Sequence, residues 1–317
     1  MEQRVVGRFA PSPSGRLHLG NLFCFLLAWL SARRQGGRIL LRIEDLDPAR
    51  SKRAYSEQLQ RDLAFLGLAW DEGGLDADGL HAPYEQSRRG EFYQQILNRL
   101  RAQGLVYPCF CSRAQLHAAS APHAADGEVV YPGSCRNLTD DEIRRRSLAR
   151  APALRLMVPD EEISFDDLHY GRCSQNLARE CGDFILRRSD GVFAYQLAVV
   201  ADDAAMGVTE VVRGRDLLAS TPRQLYLYRL LGAPAPRFGH LPLLLAPDGR
   251  RLSKRDADLS LDALVARGLS AAAITGALGY AAGLLDRPEP ATPDELVPLF
   301  SWDKLPREDV RLPAALF

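Results

Sequence analysis

Apolar residues run almost unbroken through Leu22, Phe23, Phe25, Leu26, Leu27, Trp29 and Leu30. A helix over about residues 17–34 that carries them has no polar face, so it is expected to be buried on all sides, with Cys24 as a core thiol. A strand pattern over residues 4–10 precedes it. RILLRI at 38–43 follows, a short apolar run of the kind that fills a central parallel strand. Residues 51–66 read as the next helix. A Gly/Asp-rich stretch then leads into YEQSRRGEFYQQILNRLRAQG, amphipathic at helical period and ended by Gly104. Strand-like pieces occur at 153–158 and 163–167. In DFILRRSDGVFAY, residues 183–195, a Ser-Asp-Gly turn between two apolar runs signals a hairpin. The next segment reads as helix, turn and strand, with VVRGRDLL at the strand's carboxyl end, and Thr221 and Pro222 open a further helix.

Composition narrows the setting. With 317 residues, 46% of them hydrophobic and 25% charged, the chain has room for two domains or one large domain with an insertion. No apolar stretch is long enough to span a membrane, and MEQRVVGRFA lacks a signal core, so a cytoplasmic protein without membrane contact is expected. Six cysteines in a chain of this length do not read as a secreted disulfide scaffold; metal ligation or buried thiols fit better. Forty basic residues balance forty acidic ones, so any nucleic-acid surface must be local. All the basic residues except Lys52, Lys254 and Lys304 are arginines, which favours a chemical role for Lys254.

The densest chemistry lies in RFAPSPSGRLHLGN, Arg8 to Asn21. A strand passes through a Pro/Ser/Gly turn into a helix start, whose first amides face any bound anion; Ser12 or Ser14 is the expected cap. Gly15 and Gly20 let a ligand approach the backbone. His18 is placed to donate an imidazole N–H to a phosphate, and Gly20 leaves room for a nucleobase. Glu44, beyond RILLRI, is a candidate to hold a ligand's ammonium; capping of the next helix is the competing role for Glu44 and Asp45, and for Asp47. Among Arg187, Arg188, Arg213 and Arg215, Arg213 beside Gly214 at a strand end is the one placed to face a ligand. Cys109 and Cys111, with Cys135 in YPGSC, supply three ligands of a zinc-type set. The fourth is open between His117, His123 and Tyr131. Cys173 and Cys181 have no companion ligand and read as plain thiols.

HLGN at His18–Asn21 and RLSKR at Arg251–Arg255 resemble the two signature motifs of class I aminoacyl-tRNA synthetases, usually written HIGH and KMSKS. Both depart from the consensus, but Lys254 keeps the charged position. RFAPSPSGRLHLGN, RIEDLD, DFILRRSDGVFAYQLAVVADDAAMGVTEVVRGRD, TPRQ and LSK follow the order of the glutamyl-tRNA synthetase catalytic half over about residues 4–260. Soon after RLSKR the chain stops, too short for a helical anticodon-binding region, and it carries CFC followed by YPGSC. Both features resemble the shortened glutamyl-Q tRNA(Asp) synthetase family, which attaches glutamate to queuosine in the anticodon of tRNA(Asp).

The resemblance implies an α/β fold: a class I Rossmann-like nucleotide-binding domain with a zinc-bearing insertion and a short helical C-terminal region. Residues 1–85 and 183–249 would be the two halves of the catalytic domain, 86–182 the insertion, and 250–317 the KMSKS-like loop and helical region. It implies a glutamate site at Arg8, Phe9, Ala10, Pro11, Ser12, Glu44, Tyr195 and Arg213. Glu44 would take the ammonium, and Arg8, Arg213 and the Tyr195 hydroxyl the carboxylates. His18, Gly20, Asn21, Ser253 and Lys254 match ATP-binding positions, with His18 and Lys254 catalytic and Mg²⁺ accompanying ATP. Cys109, Cys111, Tyr131 and Cys135 match the ligands of one structural zinc, with His117 and His123 as fallback for Tyr131. The implied partner is a queuosine-bearing tRNA(Asp) anticodon stem-loop, and the expected state is a monomer. Two alternatives remain: a truncated glutamyl-tRNA synthetase charging the tRNA 3′ end, and an inactive zinc-bearing RNA-binding paralog.

Overall fold

A computed structural model describes residues 4–112, 130–250, 252 and 259–313. Strands β1 (Val6–Phe9), β2 (Arg38–Leu41) and β3 (Glu72–Gly73) form a parallel sheet in that order. The helix Leu19–Arg34 connects β1 to β2, and the helix Arg53–Phe65 connects β2 to β3. Every residue of β1 is buried, as expected of a parallel strand covered on both faces. The Leu19–Arg34 helix is buried at Leu22, Phe23, Leu26, Leu27, Trp29 and Leu30, as its pattern requires.

An insertion follows. It contains the helix Gly90–Ala102, strands β4 (Val106–Cys109) and β5 (Ala153–Leu156), which form an antiparallel sheet with β8 (Phe184–Arg187) of the returning segment, and a hairpin of β6 (Glu162–Asp167) with β7 (Gly171–Asn176). The Gly90–Ala102 helix ends where Gly104 takes a φ of 72°, a left-handed conformation that costs glycine little. The hairpin expected over residues 183–195 is only partly formed. β8 pairs with β5, the return segment contributes a single bridge between Arg187 and Phe193, and Tyr195 already opens the helix Tyr195–Ala205.

The chain then re-enters the parallel layer. β9 (Glu210–Gly214) and β10 (Arg237–Leu241) pair in parallel, joined by the helix Thr221–Leu231. Thr209 N donates to Val6 O at 2.9 Å, which brings β9 beside β1. Beyond β10, β11 (Leu244–Leu245) pairs in parallel with β12 (Val310–Arg311), so residues near 310 return to the strand ends.

The cores cross the expected domain boundaries. Leu264, Ile274, Leu278 and Leu296 share one apolar cluster with the Leu19–Arg34 helix, while Leu97, Leu156 and Phe165 of the insertion share another with Leu197, Val211 and Leu227.

Candidate active site

A cavity of about 450 Å³ opens at the carboxyl ends of β1 and β9, where ligands sit in open α/β sheets. It gathers Arg8, Ala10, Pro11 and Ser12 from the end of β1, His18, Gly20 and Asn21 from the helix start, and Glu44, Tyr195 and Arg213. Phe9 is not among its lining residues. Alternation along a strand turns neighbours to opposite faces, and Phe9 lies fully buried with its ring edge-on to Phe25, centroids 5.3 Å apart. Cys24 and Phe25 are only half-buried: they pack against the core on one side and line the cavity on the other.

The loop is fixed by its carbonyls. Pro11 O accepts from Glu44 N at 2.9 Å and Pro13 O from Lys52 N at 3.0 Å, so the prolines, which lack donors, still anchor the turn through their acceptors. The helix begins at Leu19 with His18 as its N-cap, not Ser12 or Ser14, and Asn21 Oδ1 accepts from His18 N at 3.3 Å. A Cβ at Gly20 would stand 3.1 Å from the His18 ring, tighter than ordinary packing, so glycine here gives the imidazole its place. Leu252 lines the cavity, and Ser260 bridges to His18. Ser253 and Lys254 lie outside the described residues, as do His117 and His123.

Beneath the cavity is a charge cluster that the apolar pattern concealed. Arg42, wholly buried, donates to Asp203 Oδ1 at 2.5 Å and to Glu44 Oε1 at 2.9 Å, with its Nε 3.8 Å from Asp202. Asp202 also accepts from Gln86, Arg89 and Tyr93. Burial raises the Glu44 pKa, against the pull of Arg42 and Arg8. Arg8 donates to Val212 O at 3.2 Å and its Nε lies 3.7 Å from Asp203, with no hydrogen-bond acceptor for that Nε among the described residues.

Arg213 has a different environment. Its Nε donates to His240 Nε2 at 3.0 Å, Nη1 to Gln224 Oε1 at 2.8 Å, and Nη2 to Thr221 Oγ1 at 2.8 Å and Leu217 O at 3.4 Å. All are neutral acceptors, and among the described residues no carboxylate pairs with this guanidinium. Burial lowers its pKa, while Tyr195 acts in the opposite sense. Burial likewise lowers the His240 pKa although Asp167 Oδ2 lies 2.6 Å from Nδ1. TPRQ was legible as a motif, but the convergence of Thr221, Gln224, His240 and Asp167 on Arg213 has no local signal.

A second cluster lies in the insertion. The Cys109, Cys111 and Cys135 sulfurs all lie within 4.8 Å of one another. Cys111 Sγ is 3.6 Å from Cys135 Sγ, and the Tyr131 hydroxyl is 3.5 Å from Cys109 Sγ and 4.0 Å from Cys111 Sγ. A metal with bonds of about 2.3 Å to tetrahedral sulfur ligands separates them by about 3.8 Å, so the spacing fits a metal site. Burial pushes the Cys111 thiol up to about 11, with Cys109 and Cys135 adding to the shift, a cost that a cation among the three sulfurs would remove. Arg155 stacks over the Tyr131 ring at 3.8 Å.

Residues 4–278 match the family profile described as tRNA synthetases class I (E and Q), catalytic domain. Over 314 residues the chain is 56% identical to a glutamyl-Q tRNA(Asp) synthetase of Symbiobacterium thermophilum, covering 98% of this chain and 96% of that protein. Over 313 residues it is 52% identical to one of Nitratidesulfovibrio vulgaris, with coverage of 98% and 96%. The crystal structure of a glutamate tRNA ligase from Elizabethkingia meningosepticum in complex with its amino acid superposes with a TM-score of 0.84 at 28% identity, over 99% of this chain and 68% of that one. With the motif loop, the parallel strand ends and the paired arginines in one cavity, the chain belongs to the class I (E and Q) tRNA synthetases and, within them, to the glutamyl-Q tRNA(Asp) synthetase family.

Proposed function

We propose that this chain activates glutamate with ATP and transfers it to queuosine in the anticodon of tRNA(Asp). The observation that carries the amino-acid half is the cavity's charge arrangement: Arg213 buried among neutral acceptors, Arg8 beside it, and Glu44 held by Arg42. Two guanidiniums and one carboxylate complement a dicarboxylic amino acid, with Glu44 on the ammonium and Arg8, Arg213 and Tyr195 on the carboxylates. The names of the relatives supply the RNA half.

The reaction has two steps. The α-carboxylate of glutamate attacks the α-phosphorus of ATP, releasing pyrophosphate and leaving glutamyl-adenylate. A hydroxyl of the queuosine cyclopentenediol then takes the acyl group and AMP leaves. His18, the amides at the helix start and Lys254 position and neutralise the phosphates. Mg²⁺ supplies further charge neutralisation on the phosphate oxygens. No protein nucleophile is required. Residues 1–85 and 183–249 carry the amino-acid ligands and His18, 86–182 form the metal-bearing insertion, and 250–317, the loop and helical region, carries Lys254.

The RNA half is tested with three RNAs. A queuosine-bearing anticodon stem-loop of tRNA(Asp) is expected to accept glutamate, while the same stem-loop with guanosine and an acceptor minihelix do not. Charging of the minihelix alone would show a trimmed glutamyl-tRNA synthetase instead.

Cys109, Cys111, Cys135 and Tyr131 are proposed to hold one structural zinc, which would tie β4 to the segment around residue 131. Elemental analysis of protein purified without chelator is expected to find about one zinc per chain. The Cys109→Ser, Cys111→Ser double variant should have lost it; retention of zinc there would overturn the ligand set.

A further inference from the structure

A guanidinium has donors only, so His240 Nε2, 3.0 Å from Arg213 Nε, is the lone-pair nitrogen of the ring. The ring proton therefore sits on Nδ1 and is donated to Asp167 Oδ2 at 2.6 Å. Asp167 cannot turn away, because its carboxylate also accepts from the backbone N–H groups of His169, Tyr170 and His240 at 3.0, 2.9 and 3.2 Å. His240 is fully buried and Asp167 nearly so. The result is an ordered chain from a carboxylate, through a neutral ring, to the guanidinium.

We propose that His240 is a positioning residue for amino-acid binding, and that Asp167 fixes its tautomer so that Arg213 is held by a neutral acceptor. A carboxylate placed directly on Arg213 would neutralise it and compete with the ligand. Interposing the imidazole fixes the guanidinium plane while leaving its charge available to the substrate's carboxylate. Asp167 belongs to β6 of the insertion, so the insertion takes part in the amino-acid site through this contact. The inference rests on the reading that Arg213 receives that carboxylate.

Two replacements of the ring separate its contacts. His240→Gln can place an amide oxygen near the Nε2 position and keep an acceptor for Arg213. His240→Asn reaches only the Nδ1 position, keeping Asp167 but leaving Arg213 Nε without its partner. In glutamate-dependent ATP–pyrophosphate exchange, His240→Asn is expected to raise the KM for glutamate roughly 10- to 100-fold with the KM for ATP unchanged. His240→Gln should recover most of the loss at a similar thermal midpoint. Asp167→Asn, which retains an oxygen for the backbone donors, should shift the glutamate KM in the same direction. Wild-type glutamate KM in both His240→Asn and Asp167→Asn, or equal losses toward glutamate and ATP, would overturn the proposal. Should His240→Asn not fold, Asp167→Asn decides alone. No glutamate-dependent exchange in the wild-type protein would overturn the reading of the cavity instead.

Discussion

Arg213→Gln is expected to lower kcat/KM for glutamate in ATP–pyrophosphate exchange by about 10²–10³, and the wild-type enzyme is expected to reject glutamine by roughly 10⁴. Both follow from the absence of a carboxylate partner for this guanidinium among the described residues. Its acceptors, His240, Gln224, Thr221 and Leu217 O, satisfy hydrogen bonds without neutralising charge. An arriving carboxylate meets a cation already desolvated and oriented. An amide in its place leaves that cation uncompensated, and at a buried site the penalty is large. Equal exchange with glutamate and glutamine would sink this account, as would an Arg213→Gln variant with wild-type kcat/KM for glutamate.

Asp203→Ala is the second change with a large expected effect, here on stability. Asp203 bonds the wholly buried Arg42 and sits 3.7 Å from Arg8, so its loss removes one anion from two buried cations at once. Breaking a buried pair from one side costs about 3–5 kcal/mol, and the lower end applies because Arg42 keeps Glu44 and Asp202. Arg53→Ala is the control. Its pairs with Glu57 and Asp76 are exposed, and solvent screening leaves such pairs little net contribution to stability. Urea unfolding of the two variants distinguishes the cases, and a shift of under about 1 kcal/mol for Asp203→Ala would show that the cluster does not hold the site.

The elements that organise the site were legible because each carries its own local pattern. The turn from β1 into the helix is marked by proline, serine and glycine, and the helix is apolar enough to be placed without its neighbours. The same apolar continuity hides which face meets the cavity, so the expectation of a helix buried on all sides fails at Cys24 and Phe25, which are only half-buried and line the cavity. Phe9 was assigned with its motif neighbours, although strand alternation separates it from Arg8 and Ala10. In the sequence Arg42 sits near the end of the apolar run RILLRI, and Asp202 with Asp203 interrupts the apolar pattern after Val200. In the structure both aspartates lie within the helix Tyr195–Ala205, buried against that arginine. Charges of opposite sign in elements otherwise buried were the available signal. The Asp167, Thr221, Gln224 and His240 set had none, because its members meet only once the insertion packs on β10.

The return of the chain near residue 310 has a consequence in time. Leu243 and Leu244 line the cavity, and their surroundings are completed from far along the chain. Asp309 accepts from Leu243 N at 2.8 Å and from Arg215, and Val310 N donates to Leu243 O at 2.9 Å. Sixty-six residues separate Leu243 from Asp309. At about 5–20 residues per second of synthesis, that wall waits roughly 3–13 s on the ribosome for its partner strand. A nascent chain can assemble β1, β2, β9 and β10 and still lack the partner that pins Leu243 at the cavity wall, so this wall is braced after the sheet rather than with it.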